Sequence, residues 1–114
     1  MDPKDCLFCK IAAGTIPSKV VFQDEQVLAF HDIHPGAPTH ALVIPKTHFT
    51  DLTECDDDAI LAALLRGAKR VAKELGVVES GYRTVINTGA HAGQSVFHIH
   101  VHVLAGRALA WPPG

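Results

Sequence analysis

Between residues 97 and 104 apolar and histidine residues alternate: Phe97-His98-Ile99-His100-Val101-His102-Val103-Leu104. A period of two is that of a β-strand, whose successive side chains point to opposite faces. The spacing predicts Phe97, Ile99, Val101 and Val103 on a buried face and three imidazoles on the other, each about 7 Å from the next. Shorter apolar runs predict four further strands over 20–22, 27–30, 40–44 and 82–87. Gln23-Asp24-Glu25-Gln26 suits a hairpin between the first two, with no glycine to define the turn type. After Leu52 the period changes, and Ile60, Leu64, Ala68, Val71 and Leu75 recur at steps of three and four. This stripe predicts a helix over about 56–75, opened by Thr53 and the acidic run Asp56-Asp57-Asp58 and closed by Gly76. Lys69, Arg70 and Lys73 lie late in it, where cations suit the dipole. A second, short helix over 6–13 ends at Gly14. Residues 32–38 and 88–95 read as loops, and the proline-ended tail 107–114 has no regular structure. The pattern as a whole is α+β: a five-stranded antiparallel sheet with one long and one short helix.

The chain has 114 residues, enough for one domain spanning 1–114 and too few for two. Hydrophobic residues make up 47% and charged residues 19%, a globular composition that argues against disorder. The formal net charge is −2 and no basic run stands out, which argues against nucleic acid or an anionic membrane as partner. The start, Met1-Asp2-Pro3-Lys4-Asp5, is charged and has no signal-peptide stretch behind it, and no run is long enough to span a membrane. These features predict a cytoplasmic protein. Two of the three cysteines form Cys6-Leu7-Phe8-Cys9, a spacing that reads as metal-binding or redox-active where no export signal precedes it.

The histidines change the picture most, because each brings two ring nitrogens that need partners. An imidazole can attack phosphorus, form a covalent adduct and be released by water. Gly89, Gly93, Gln94 and Ser95 precede the histidine strand and offer amides and a hydroxyl able to cradle phosphate oxygens. The competing reading is a metal site. Three same-face histidines on one strand spread too far for a single ion, so at most one pair could share it.

His98-Ile99-His100-Val101-His102-Val103-Leu104 resembles the His-x-His-x-His signature of the histidine triad superfamily. Phe30-His31-Asp32-Ile33, Pro38-Thr39-His40, Val43-Ile44-Pro45-Lys46, Gly93-Gln94-Ser95-Val96 and Trp111-Pro112-Pro113-Gly114 resemble its Hint branch of nucleotide-binding proteins, over essentially the full length. The resemblance implies a homodimeric hydrolase of purine nucleoside phosphoramidates, such as adenylate joined to an amine. The alternative is a non-catalytic purine-nucleotide sensor or scaffold. His100 matches the nucleophile, His102 its partner at the α-phosphate, and Ser95 and Asn87 the phosphate and leaving-group site, with Gly93 and Gln94 beside them. Asp32 matches the carboxylate that accepts the ribose hydroxyls. Leu7, Phe8, Ile11, Phe30, Ile33 and Leu42 match the apolar slot around the purine. Cys6 and Cys9 resemble bacterial-type members in which two cysteines and two histidines, here His48 and His98, hold a structural Zn²⁺; no organic cofactor is implied. His31, His34 and His91 read as surface or loop residues, Cys55 has no evident partner, and His40 falls near the site.

Trp111 is the sole tryptophan and is the fourth residue from the end. Left exposed it would hold a large apolar surface in water. A two-fold dimer that extends the sheet and packs each tail near the other subunit's site would bury it. The resemblance implies the same arrangement, with the tail shaping leaving-group selectivity.

Overall fold

The computed structural model describes residues 3–114, so Met1 and Asp2 of the charged start lie outside the described residues. After a 3-10 turn at Pro3–Asp5 come helix α1 (Leu7–Ala12), strands β1 (Val20–Gln23), β2 (Val27–His31) and β3 (Thr39–Pro45), helix α2 (Asp58–Glu74), and strands β4 (Tyr82–Val85) and β5 (Val101–Ala105). All neighbours in the five-stranded sheet pair antiparallel in the order β1-β2-β3-β5-β4. No helix among the described residues is long and apolar enough to cross a membrane.

Each helix covers one face of the sheet. Ile60, Ala63, Leu64, Ala68 and Val71 of α2 pack on Val27, Ala29, Ala41, Val43, Val101 and Val103. Leu75, the last of the predicted stripe, sits at the helix end and packs against this core from its edge. Asp57 caps the helix, its carboxylate accepting the amides of Ala59 and Ile60. Gly67 lets the helix approach β3 closely, since a Cβ there would lie 2.7 Å from Val43 Cγ1. The opposite face presents Leu28, Phe30, Leu42 and Ile44 to Cys6, Phe8 and Ile11 from α1. The turn between β1 and β2 is closed without glycine. The Asp24 carboxylate accepts the amides of Gln26 and Val27, and the Val27 amide foremost holds it below the usual carboxylate range.

The sequence pattern needs correction at β5. Its pairing with β3 runs from Thr39–Ala105 to Val43–Val101 and stops there. Proline at 45 has no amide to donate, and its carbonyl is taken by the His98 ring at 2.8 Å. The Ile99 amide turns instead to the carbonyl of Phe49 at 2.7 Å. The alternation of faces nevertheless survives the loss of pairing: Ile99, Val101 and Val103 share the α2 core. Phe97, placed on that face by the period, is 41% exposed because the strand geometry that would bury it has not yet begun. β4 likewise ends at Val85, two residues before Asn87.

Candidate active site and metal centre

The face of β5 and of the segment leading into it that points away from α2 carries the chemistry, and each histidine is fixed by a different partner. His98 is fully buried and donates from Nε2 to the Pro45 carbonyl, which leaves its Nδ1 as a lone pair. That nitrogen lies 3.3 Å from Cys6 Sγ, 3.5 Å from Cys9 Sγ and 3.1 Å from His48 Nδ1. Cys9 Sγ is 3.2 Å from His48 Nδ1, and all four donor atoms lie within 4.8 Å of one another. A tetrahedral Zn²⁺ held at about 2.3 Å from sulfur and about 2.0 Å from nitrogen needs neighbouring donors roughly 3.3–3.8 Å apart. The four separations of 3.1–3.5 Å fall at or just under the lower end of that range, and four protein donors leave no position for a reactant. The chemistry of the set fits too. Burial first, and the Cys6 sulfur second, push the Cys9 thiol up to about 11, while burial pushes His98 down to about 4, so the cluster concentrates donors that a cation would satisfy.

His100 is 5% exposed and donates from Nδ1 to the His98 carbonyl at 2.8 Å, leaving Nε2 free. Burial lowers its pKa, so the ring is neutral and its lone pair available at neutral pH. His102 follows a longer chain of logic. The Gly36 amide donates to His40 Nδ1 at 2.8 Å, so a neutral His40 carries its proton on Nε2. That Nε2–H faces His102 Nδ1 at 2.9 Å, which places the His102 proton on its own Nε2. Among the described residues His102 Nε2 is buried without a protein partner: a fixed donor with nothing yet to donate to. Burial, aided by His100 and His40, pushes this ring down to about 4, which keeps the relay neutral.

Asp32, His40 and His102 also bring donor atoms within 4.8 Å of one another, a second cluster with metal-ligand chemistry. The Gly36 amide argues against a metal there. With Nδ1 accepting, His40 has a proton and not a lone pair on the nitrogen that faces the cluster. His98, His100 and His102 therefore divide between separate tasks and do not converge on one ion.

His100 and His102, with ring centroids 4.9 Å apart, line a cavity of about 480 Å³. Its walls include Leu7, Phe8, Ile11, Phe30, Asp32, Ile33, Leu42 and Ser95, which the resemblance places around a nucleotide. Ile33 is 84% exposed and forms a lip rather than a buried wall. Asp32 Oδ1 accepts the His34 amide at 2.8 Å, and its Oδ2 lies 3.5 Å from His40 Nε2. Asn87, Gly93 and Gln94 do not line this cavity. The Gln94 side chain is consumed by the backbone, accepting from the Gly89 amide and donating to the Thr50 and Val96 carbonyls. It braces the loop that carries Ser95. Sequence reasoning missed Ile16, Pro17, Ser18 and Val96, and took His31 and His34 for surface or loop residues; all six line the cavity. Ile16, Pro17 and Ser18 stand just before β1 and face the cavity together with Phe30 of β2.

The tail is tied to its own chain through Ala110: Arg83 donates to the Leu109 and Ala110 carbonyls, and Arg107 to that of Gly36. Trp111 beyond it is 80% exposed.

A five-stranded sheet with two tautomer-fixed histidines over an apolar cavity, and a partly buried Cys₂His₂ cluster beside it, defines a class of histidine-based binding or hydrolytic proteins. The family model of the HIT domain matches residues 13–109, and the chain belongs to that family. A structure of a HIT family hydrolase from Legionella pneumophila superposes with a TM-score of 0.92 at 52% identity, covering 96% of this chain and 99% of that one. A 14 kDa zinc-binding protein of Zea mays is 52% identical over 100% of this chain and 91% of its own length. The adenylylsulfatase HINT1 of Arabidopsis thaliana is 50% identical over 95% of this chain and 76% of its own.

Proposed function

We propose that this chain hydrolyses purine nucleoside 5′-phosphoramidates by way of a nucleotidyl group on His100. The observation that carries the reading is the pairing of a free His100 Nε2 lone pair with an unpartnered His102 Nε2–H beside one cavity. Attack forms a bond from His100 Nε2 to phosphorus and breaks the bond to the amine, which leaves with a proton from water. A second water cleaves the adduct, restoring His100 and releasing the nucleoside monophosphate. His102 Nε2–H meets a phosphoryl oxygen as charge develops, a donor oriented before the substrate arrives. Ser95 supplies a hydroxyl at the cavity edge, and Asp32 accepts from the ribose. Leu7, Phe8, Ile11, Phe30 and Leu42 sandwich the base with little regard for its edge, which suits purines as a class.

The same proposal places Zn²⁺ in Cys6, Cys9, His48 and His98 as a structural ion, supported by the donor geometry and by the name of the maize relative. A homodimer is supported by the exposed Trp111 and by the open edge of β4. The name of the Arabidopsis relative makes adenylyl sulfate a useful second substrate, since sulfate in place of the amine leaves the chemistry at phosphorus unchanged.

Turnover of adenosine and guanosine phosphoramidates and of adenylyl sulfate tests the reading. His100→Ala is expected to abolish turnover while adenylate still binds, and Ser95→Ala to slow it more mildly. Near-normal turnover by His100→Ala refutes the nucleophile. A wild-type chain that binds adenylate and turns over none of the panel is a sensor.

A further inference from the structure

One six-residue helix serves both sites. Along α1, metal donors and cavity walls interleave: Cys6 at the cap, Leu7, Phe8, Cys9, then Ile11. A helix this short does not hold itself, because the cost of the first turn is not recovered over so few residues. Its position depends on what grips it at either side. Two grips are visible. Cys6 Sγ accepts the Cys9 amide at 3.4 Å and, with Cys9, faces His48 and His98. The Phe8 ring is packed edge-on against Phe30 at 5.6 Å, His98 at 6.0 Å and His100 at 5.1 Å between centroids.

A second path runs through His98 itself. Its ring belongs to the Cys₂His₂ cluster, while its carbonyl accepts from His100 Nδ1 and so fixes which nitrogen of His100 is free. The residue that would hold the metal therefore also aims the group that meets phosphorus. Without a cation, only weak thiol-to-imidazole contacts of 3.2–3.5 Å join α1 to His48 and His98, and α1 and the 98–100 segment lack the metal–ligand bonds that would tie them together.

We propose that metal and nucleotide binding are linked through α1 and His98: each ligand tightens the other by the same factor. The inference rests on the proposed nucleotide and zinc readings and goes beyond both, since a merely structural ion would leave the cavity of a folded chain unchanged. Reciprocity is required thermodynamically, because both ligands act on one set of positions for α1. The factor expected is about tenfold, within the range typical of coupled sites.

The probes are adenosine monophosphate and Zn²⁺. Calorimetry measures adenosine monophosphate affinity on the Zn²⁺-loaded and on the chelator-depleted full chain, with circular dichroism to show that the depleted chain is folded. Chelator competition measures Zn²⁺ affinity with and without saturating nucleotide. The expected result is a roughly tenfold weaker nucleotide affinity on depletion and an equal gain in Zn²⁺ affinity with nucleotide. Equal nucleotide affinity in the two folded forms overturns the linkage and leaves the nucleotide reading standing. A loaded chain that binds no adenosine monophosphate overturns the nucleotide reading and the linkage with it. Where depletion unfolds the chain, Co²⁺ replaces Zn²⁺, and nucleotide must shift the thiolate-to-cobalt absorption of the folded protein. An unchanged spectrum at saturating nucleotide overturns the linkage.

Discussion

The relay from Gly36 through His40 to His102 makes a prediction that separates it from simple packing. His40→Ala removes the proton that His40 Nε2 presents to His102 Nδ1 at 2.9 Å, and leaves the Gly36 amide without its acceptor. His102 is then free to take its proton on either nitrogen, and only one choice gives a donor facing the substrate. A neutral hydrogen bond is worth about 0.5–1.5 kcal/mol net, and a buried partner left unmet costs about 1–3 kcal/mol. These bound the loss at roughly two- to 150-fold in turnover, reaching only the lower end of the 10²–10³ or so expected when such a donor is deleted outright. Adenylate affinity should change by less than about threefold, since the ring of His102 remains. His40→Gln keeps an N–H donor on a side chain of similar reach, and should recover most of the loss. The assay is steady-state release of a fluorescent amine from an adenosine phosphoramidate, with melting temperature as the control for folding. Unchanged turnover in His40→Ala, or a Gln variant no better than Ala, refutes the relay.

Burial favours the neutral form of His102, from an ordinary value of 6.5 down to about 4. The folded chain therefore takes up its proton later than the unfolded chain as pH falls, so this contribution to stability is whole above about pH 6.5 and is lost toward about pH 4. Turnover should be flat from neutral pH down to about 6 and fall below about 5; a profile centred near 6.5 contradicts this. Gly67→Ala gains about 1 kcal/mol of helix propensity but forces a Cβ to 2.7 Å from Val43 Cγ1, and overpacking costs about 1–3 kcal/mol. A net loss near 1 kcal/mol lowers the melting temperature by about 4 °C, with nucleotide affinity unchanged because Val43 faces α2; a rise in melting temperature refutes the close approach. Deleting residues 110–114 should leave a folded dimer with altered preference among amine leaving groups, and unchanged discrimination takes the tail out of the mechanism.

Much of this was legible in the chain. The period of two at 98–104 located the site, and the stripe from Ile60 to Val71 located the helix behind it, because both patterns record which face of an element is buried. The pairing of sheet partners was not legible, and what depends on it was missed. His40 is bound to His102 because β3 and β5 pair with His40 beside Leu104 and Leu42 beside His102, which makes the two histidines diagonal neighbours on one face. Nothing local to either residue announces that. Gln94 looked like a ligand because it stands beside Ser95, but its amide is claimed by the backbone of Gly89 and Val96 in its own loop and by the carbonyl of Thr50, 44 residues away. The failure at Phe97 has the same origin, since a ring at 98 competes for the carbonyl that a strand would have used.

The choice of partner for His100 has a chemical consequence. Its Nδ1–H is oriented by a neutral peptide carbonyl, and not by the carboxylate that commonly steers a reactive imidazole. A carboxylate would raise the basicity of the ring, making it a keener nucleophile but a reluctant leaving group. A carbonyl fixes the same tautomer while leaving the imidazole a weak base, and burial weakens it further. On the proposed reading, the nucleotidyl adduct is then an energy-rich acid-derivative bond, closer to an activated ester than to a resting state. Such a bond is opened readily by water, or by any other nucleophile small enough to enter, so the cavity walls decide what the captured nucleotide is passed on to.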